Sequence, residues 1–519
     1  MRAPPSLRLR AVVALGFLVG FYVTMLGAAA ALFAAVPLYL RYRGEAQGAL
    51  SVVCTALTWL PAMWLVRAIG SVRPPRWREP GRPLARDEAP ELFRIVEGLA
   101  EQAKTAPPTE LYVTPLVDLG VTETGGLFGE SRRVLVLGVP LLAMLEVGEL
   151  RAALAHELGH FTGGETRLSG IVSYTLAAFR GALASVGAQP PSRLLAVRLT
   201  LGLGRAVTLL LVGGYAWLFL RATTPGRRRQ EVAADAMAAT LAGRENLRRA
   251  LEKLEVGVPM YERYVALEVA EAVLRGGIPV DLLDGYHVFR ERFLGTDAGR
   301  AFEAQVRART TRPNDTHPAV RERLQLIASL PEGEAHEDRR SALSLVDVPP
   351  ATEPWLVGAT LAQLEGSRPP GQVRRLPWSR IPGEIIAPAL ADGAARVAAS
   401  LLPIFPEVKG KPAVLAAALA AIAEGRAGAL VAQLEPSVVR LPPTTRIEAV
   451  AAGAATIVAA LLEGVILEKG GVVDDSLGLP HALFRLDGEH LTPRVLAENA
   501  IASREGLATL RALVQRLDP

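Results

Sequence analysis

From Ala11 to Leu40 the chain runs for thirty residues without a charged side chain, and this stretch limits the possible folds more than any other. So long an apolar run satisfies its backbone polar groups most simply as a helix. At a rise of ~1.5 Å per residue it is long enough to cross a hydrocarbon layer of ~30 Å. Arg2, Arg8 and Arg10 precede it. A secretory signal peptide shares that charged start, and Ala28-Ala29-Ala30 resembles a cleavage site. The run is too long for a signal sequence, however, and continues through Leu32, Phe33 and Val36. A second span is expected at about Gly48 to Val66, with Trp59 and Trp64 in its later half. Tyr39 and Tyr42 stand where the first span should reach the headgroups. A hydrophobic content of 50% and a mean hydropathy of +0.26 agree with membrane segments. Only Arg41 and Arg43 lie between the spans, against Arg67, Arg73, Arg76, Arg78, Arg82 and Arg86 after the second. The positive-inside rule therefore puts the N-terminus and everything after Arg67 in the cytoplasm.

The formal net charge of +5 comes mainly from Arg. No basic stripe interleaved with aromatics accompanies it, so a lipid surface is expected as partner and nucleic acid is not. Cys54 is the only cysteine, which excludes a disulfide framework and a cysteine zinc site.

Beyond a Pro/Arg-rich linker at Pro74 to Pro90, Glu91 to Lys104 carries Leu92, Ile95, Val96 and Leu99 at helical spacing. Leu111 to Thr114 and Arg133 to Leu137 read as strands around a turn at Gly125-Gly126, and Pro140 to Leu145 as a short helix. Two further apolar stretches follow. Ile171 to Gly187 is interrupted by Arg180, and Ala206 to Leu220 ends at Arg221 and the run Arg227-Arg228-Arg229. Pro349 to Arg380 is Pro-rich, and beyond Ile381 the chain is Ala/Leu-rich and poor in aromatics, as in a compact helical domain. Val450 to Leu462 is short for a span and flanked by Arg446, Glu448 and Glu463, so a buried helix is expected there. The expected division is a transmembrane hairpin at 1–70, a central domain at 71–335 that holds the chemistry described next, with a possible second hairpin at 171–220, a linker at 336–380 and a helical domain at 381–519.

The chemistry centres on His156-Glu157-Leu158-Gly159-His160. Leu150, Ala153, Leu154, Leu158 and Phe161 recur at three- and four-residue spacing, which predicts a helix. Two His four apart then project from one side and can share a metal ion, while Glu157 is placed to take a proton from water at that ion. A catalytic zinc needs a third protein ligand, and Glu231 is the best candidate. Asp235, one turn on along the same face, is suited to accept the free N–H of a ligating His and fix its tautomer. His287, His336, His481 and His490 have no partners at ligand spacing.

The order Glu149-Leu150, Ala155-His156-Glu157-Leu158-Gly159-His160, Glu231-x-x-Ala234-Asp235-x-x-Ala238, then Thr316-His317-Pro318 with Arg321 and Arg323, resembles the membrane gluzincin metallopeptidases. These are the HtpX-like heat-shock proteases and the CAAX prenyl endopeptidases. The resemblance covers roughly residues 1 to 330. It implies one zinc per chain bound by His156, His160 and Glu231, with Glu157 as general base and acid and Asp235 behind the ligands. It also implies His317 beside the site as an oxyanion stabiliser, with Arg321 or Arg323 as that residue's electrostatic partner. The family's Asn-Ala-Phe-like segment is replaced by Asp118-Leu119-Gly120-Val121-Thr122, the expected edge strand for a substrate peptide.

The expected fold is mainly α with a small β-sheet: N-terminal transmembrane helices, a zincin-type α+β domain and a C-terminal helical domain. The expected function is a multi-pass zinc endopeptidase of the bacterial inner membrane, its catalytic domain facing the cytoplasm and acting on protein or peptide substrates. The alternative is an inactive membrane scaffold that recruits partners through its C-terminal domain; oligomeric state stays open.

Overall fold

The computed structural model describes residues 7–43, 49–70, 79–124, 132–162, 175, 179, 195–312, 315, 317–334, 337–346, 352–364, 373–474, 477–479 and 481–517. The chain is mainly helical with small sheets and forms two compact units. One comprises Met1–Glu255 with Arg307–Asp347, the other Val256–Val306 with Val348–Pro519.

In the first unit, α1 (Leu7–Arg43) and α2 (Ala49–Gly70) pack on each other. Phe21, Met25, Ala62 and Leu65 are buried between them and α6 (Leu195–Ala242), together with Phe179, Val212 and Phe219. Edge-to-face ring contacts knit this bundle, among them Phe21 with Phe179 at 4.9 Å and Phe17 with Phe219 at 5.7 Å. Its outer surface keeps large apolar side chains exposed, including Val19, Val23, Leu26, Val52, Leu210 and Leu218. Of the stretch Ile171 to Gly187, only Thr175 and Phe179 fall within the described residues. The turn at Gly125-Gly126 lies outside them.

The sheet of this unit has the order β1-β2-β4-β3, with β1 at Arg82–Pro83, β2 at Glu110–Thr114, β3 at Leu119–Thr124 and β4 at Arg132–Gly138. β2 runs parallel to β4, and β3 pairs antiparallel with β4 from Leu119↔Leu137 to Thr124↔Arg132. Leu111, Val113, Val134, Leu135 and Leu137 bury the two central strands, which leaves β3 as an edge. Helix α3 (Pro90–Gln102) covers the unit with the predicted stripe: Leu92, Ile95, Val96 and Leu99 are all buried. The short helix α4 (Val139–Met144) leads into α5 (Val147–Gly159), which carries the motif.

Two details depart from expectation. Glu231 does not open a new helix: α6 continues from the apolar stretch through Pro225-Gly226 and Arg227–Arg229, and Arg, a good helix former, carries it onward. Nor is the stretch after 335 uniformly linker. The carbonyls of Asp338 and Arg340 accept the N–H groups of Gly148 and Val147 at 2.9 Å each, capping two of the free donors at the start of α5. Further on, residues 336–380 also carry a helix at Thr352–Leu364 and a strand at Arg374–Leu376.

In the second unit, Pro443–Glu468 is the central helix, with Val458, Leu461, Leu462 and Val465 wholly buried. It packs against the helices Ala387–Leu401, Lys411–Ala423, Ala427–Leu434 and Pro493–Ala502. Among the described residues, only Leu15–Tyr42 and this helix pass as membrane spans by length and composition, and this one is a core helix. Val256–Val306 groups with this unit rather than with the motif because of its aromatics. Tyr264 stacks within 6.0 Å of Tyr286, Phe289 and Trp378, and the Trp378 Nε1–H donates to the Tyr264 hydroxyl at 2.7 Å.

Candidate metal centre

The site forms where the end of α5 meets the C-terminal half of α6. Gly159 allows that meeting: a Cβ there would lie 3.0 Å from Ala234 Cα and 3.1 Å from Ala234 Cβ. With hydrogen in that place the two helices approach closely enough for their side chains to converge. His156 Nε2 lies 3.6 Å from Glu231 Oε2, and His160 Nε2 lies 3.6 Å from Glu231 Oε1. The two imidazole rings are 4.8 Å apart and nearly perpendicular. One ligand atom from each of the three residues fits within 4.8 Å of the others.

These residues fit a zinc ion. A tetrahedron with arms of ~2.1 Å has edges of ~3.4 Å, close to the observed separations. The approach of both imidazole Nε2 atoms to the Glu231 carboxylate, 3.6 Å each, is too long for a hydrogen bond, so three donor atoms converge without satisfying one another. Burial lowers the His160 pKa to about 4, with His156 adding to it, so the ring is neutral and offers a lone pair. Burial alone would raise the Glu231 pKa, but His317, His156 and His160 outweigh it and keep the carboxylate ionised.

Behind the ligands, Asp235 Oδ1 accepts from His156 Nδ1 at 3.0 Å, which turns the lone pair of Nε2 towards the centre. The buried guanidinium of Arg323, from the helix Val320–Ile327, grips the same carboxylate at 2.6 and 3.0 Å. Burial would raise the Asp235 pKa; His156 and Arg323 hold it below the ordinary range instead. The partner expected for Arg323 was His317, and this is corrected: Arg323 pairs with Asp235, and His317 lies against Glu231, its Nδ1 2.9 Å from Oε2. Two buried carboxylates divide the cations because each needs a counter-charge. Arg321 is exposed and stands at neither carboxylate. The His317 ring is 65% exposed at the mouth of the site, and the neighbouring Glu231 raises its pKa. Thr316 falls outside the described residues.

Glu157 follows the first imidazole directly. Burial raises its pKa above the usual carboxylate range, against the pull of His156, and the Val121 N–H of β3 donates to it. The edge strand and the acid–base candidate are thus in direct contact, a link no side chain announces in the sequence. Sequence reading also gave no role to Glu149, which is fully buried. Its carboxylate accepts from the Glu146 N–H at 2.9 Å and pairs with Lys253 Nζ at 2.8 Å, pinning the start of α5. A charged residue beside Leu150 on a buried face was the available signal.

A His-His-Glu cluster on two helices, with a Glu following the first His and a mixed sheet alongside, defines the gluzincin type of metallopeptidase site. Residues 87–330 match the model of peptidase family M48. The Protease HtpX homolog of Thermococcus sibiricus is 30% identical over 193 residues, 34% of this chain and 61% of that protein. Protease HtpX homolog 1 of Streptomyces coelicolor is 30% identical over 191 residues, covering 34% and 56%. The Protease HtpX homolog of Pelotomaculum thermopropionicum is 33% identical over 105 residues, covering 20% and 35%. The chain thus spans about six tenths of the length of the first two relatives. No solved structure matches it.

Proposed function

We propose that the chain is a membrane-anchored zinc endopeptidase acting on protein or peptide substrates. The observation that carries this reading is the convergence of His156, His160 and Glu231 with Glu157 directly beside the edge strand β3. When bound, zinc supplies Lewis acidity that polarises a peptide carbonyl and acidifies water. Glu157 removes the proton from the attacking water and returns it to the leaving nitrogen; burial raises its pKa, which favours holding the proton between the two transfers. Asp235 holds His156 in one tautomer, and Arg323 holds Asp235. The outer edge of β3, where the Val121 N–H meets Glu157, aligns an extended substrate backbone beside that carboxylate. His317, whose protonated form Glu231 favours, stands at the mouth as the donor for a developing oxyanion.

The apolar exteriors of α1, α2 and α6 support anchoring in a bilayer, and the Arg distribution supports a cytoplasmic domain at the inner membrane. A membrane scaffold would need the same anchoring helices, but in it the converged His156, Glu157, His160 and Glu231 would have no task. The test is caseinolysis by the purified full chain with and without a zinc chelator, beside Glu157→Gln. Chelator-sensitive cleavage, with normal zinc and turnover reduced ~10²–10⁴-fold in Glu157→Gln, is the expected result. Zinc-free parent protein, or proteolysis undiminished in Glu157→Gln, refutes it.

A further inference from the structure

Helix α6 joins the membrane bundle to the metal ligands without a break, and this continuity sets a distance. Its apolar, outward-facing part ends at Trp217 and Arg221; the indole is half exposed and the Arg221 guanidinium lies 5.8 Å over it. An aromatic and a cation paired in this way mark the headgroup level. The opposite boundary agrees. Phe17 touches Phe219 at the inner level, and Tyr39, exposed on the same helix as Phe17, lies twenty-two residues further along. That is ~33 Å of helix, against a hydrocarbon thickness of ~30 Å. From Arg221 to Glu231 the helix advances ten residues, or ~15 Å, and a tilt of ~20° reduces this to ~14 Å.

We propose that α6 acts as a ruler: it holds the metal centre ~14 Å above the lipid boundary, so that a membrane-tethered polypeptide is cut only where its chain has left the bilayer by about four to five extended residues. The inference rests on the membrane-anchored peptidase reading. It adds a substrate requirement: the segment next to the lipid must be extended. A folded domain of 100 residues, with a radius of gyration of ~13 Å, does not fit into that gap.

The test uses the full chain reconstituted in phosphatidylethanolamine/phosphatidylglycerol vesicles, with single-span substrates. Each carries one casein segment, chosen because the detergent-solubilised protein cuts it, at a tether of 2, 5, 10 or 20 residues from the span. In detergent all four are expected to be cut at equal rates. In vesicles the 2-residue tether is expected to be at least tenfold slower than the 10- and 20-residue tethers. A photocrosslinker in the segment, used with the inert Glu157→Gln protein, is expected to capture β3 over the same range of tethers, a readout that needs no turnover. Equal rates at 2 and 20 residues in vesicles overturn the ruler and leave the peptidase reading standing. Loss of cutting at 10 and 20 residues in vesicles alone also overturns it, because the centre then stands farther from the lipid. Failure to cut any casein segment in detergent with zinc present removes the peptidase reading and the ruler with it.

Discussion

Gly159→Ala tests whether helix spacing makes the metal centre. The added methyl group would stand 3.0 Å from Ala234 Cα, a backbone atom that cannot rotate away. Carbon atoms settle at ~3.5–4.0 Å, so α5 and α6 must part by ~0.5–1 Å. The imidazoles stand on one helix and Glu231 on the other, and their separations of 3.6 Å would widen by a similar amount. Ligand distances tolerate only ~0.2 Å, so zinc affinity is expected to fall ~10–100-fold. Folding is expected to change less. Overpacking costs ~1–3 kcal/mol, and the gain of replacing a helical Gly, ~0.5–1 kcal/mol, offsets part of that. The assay is zinc competition against a chromogenic chelator, paired with thermal melting of the metal-free protein. Gly98→Ala in α3, where the new Cβ meets nothing within 4 Å, is the control and is expected to leave zinc affinity unchanged while raising the melting temperature slightly. If Gly159→Ala binds zinc within twofold of the parent, this glycine does not set the spacing.

Arg323→Ala removes the counter-charge from buried Asp235 and is expected to destabilise the metal-free protein by ~3–5 kcal/mol, read by urea denaturation; a loss below 1 kcal/mol would mean that water takes over the guanidinium's place. In the second unit burial raises the Glu463 pKa to about 7, opposed by Arg275 and Arg494. Its contribution is therefore fully present below ~4.5 and lost as pH rises through ~7, so Glu463→Gln is expected to gain as much as ~3 kcal/mol at pH 8 and little at pH 4.5. Urea titrations of the whole chain at both pH values check this, and equal gains at the two would contradict it. Tyr42→Cys in a Cys54→Ala background is expected to react with an impermeant thiol reagent from outside intact cells, and labelling only after permeabilisation would reverse the topology.

What was legible in the sequence was whatever repeats within one helix. His156, Glu157 and His160 declare themselves because ligands four apart share a face, and Glu231 with Asp235 does the same one helix later. The stripe of α3 and the strands β2 and β4 were readable for the same reason of period. Contacts between distant segments were not. Asp235 and Arg323 are 88 positions apart, and nothing local told Arg323 to choose that carboxylate over His317. The Val121 donor on Glu157 is backbone and leaves no mark in residue identity. The break expected before Glu231 is absent even though Pro225-Gly226 and three Arg stand there, because packing of the long helix at both ends outweighs a local breaker. The 338–340 segment looked like linker because its contribution, two carbonyl groups, belongs to any sequence.

The ligand set also bears on the order of folding. His160 and Glu231 are 71 positions apart, and closing such a loop in a flexible chain would cost on the order of 4 kcal/mol. Packing of α6 against α1 and α2 reduces that cost, since once that bundle has assembled Phe219 is already placed twelve positions before Glu231. Assembly of that bundle would therefore come first, with capture of an ion completing a loop that the bundle has mostly closed. Because such linkage is reciprocal, ion binding must in turn stabilise the bundle, and mutations that loosen the apolar packing around Phe21 and Phe219 would register as weaker zinc affinity from a distance.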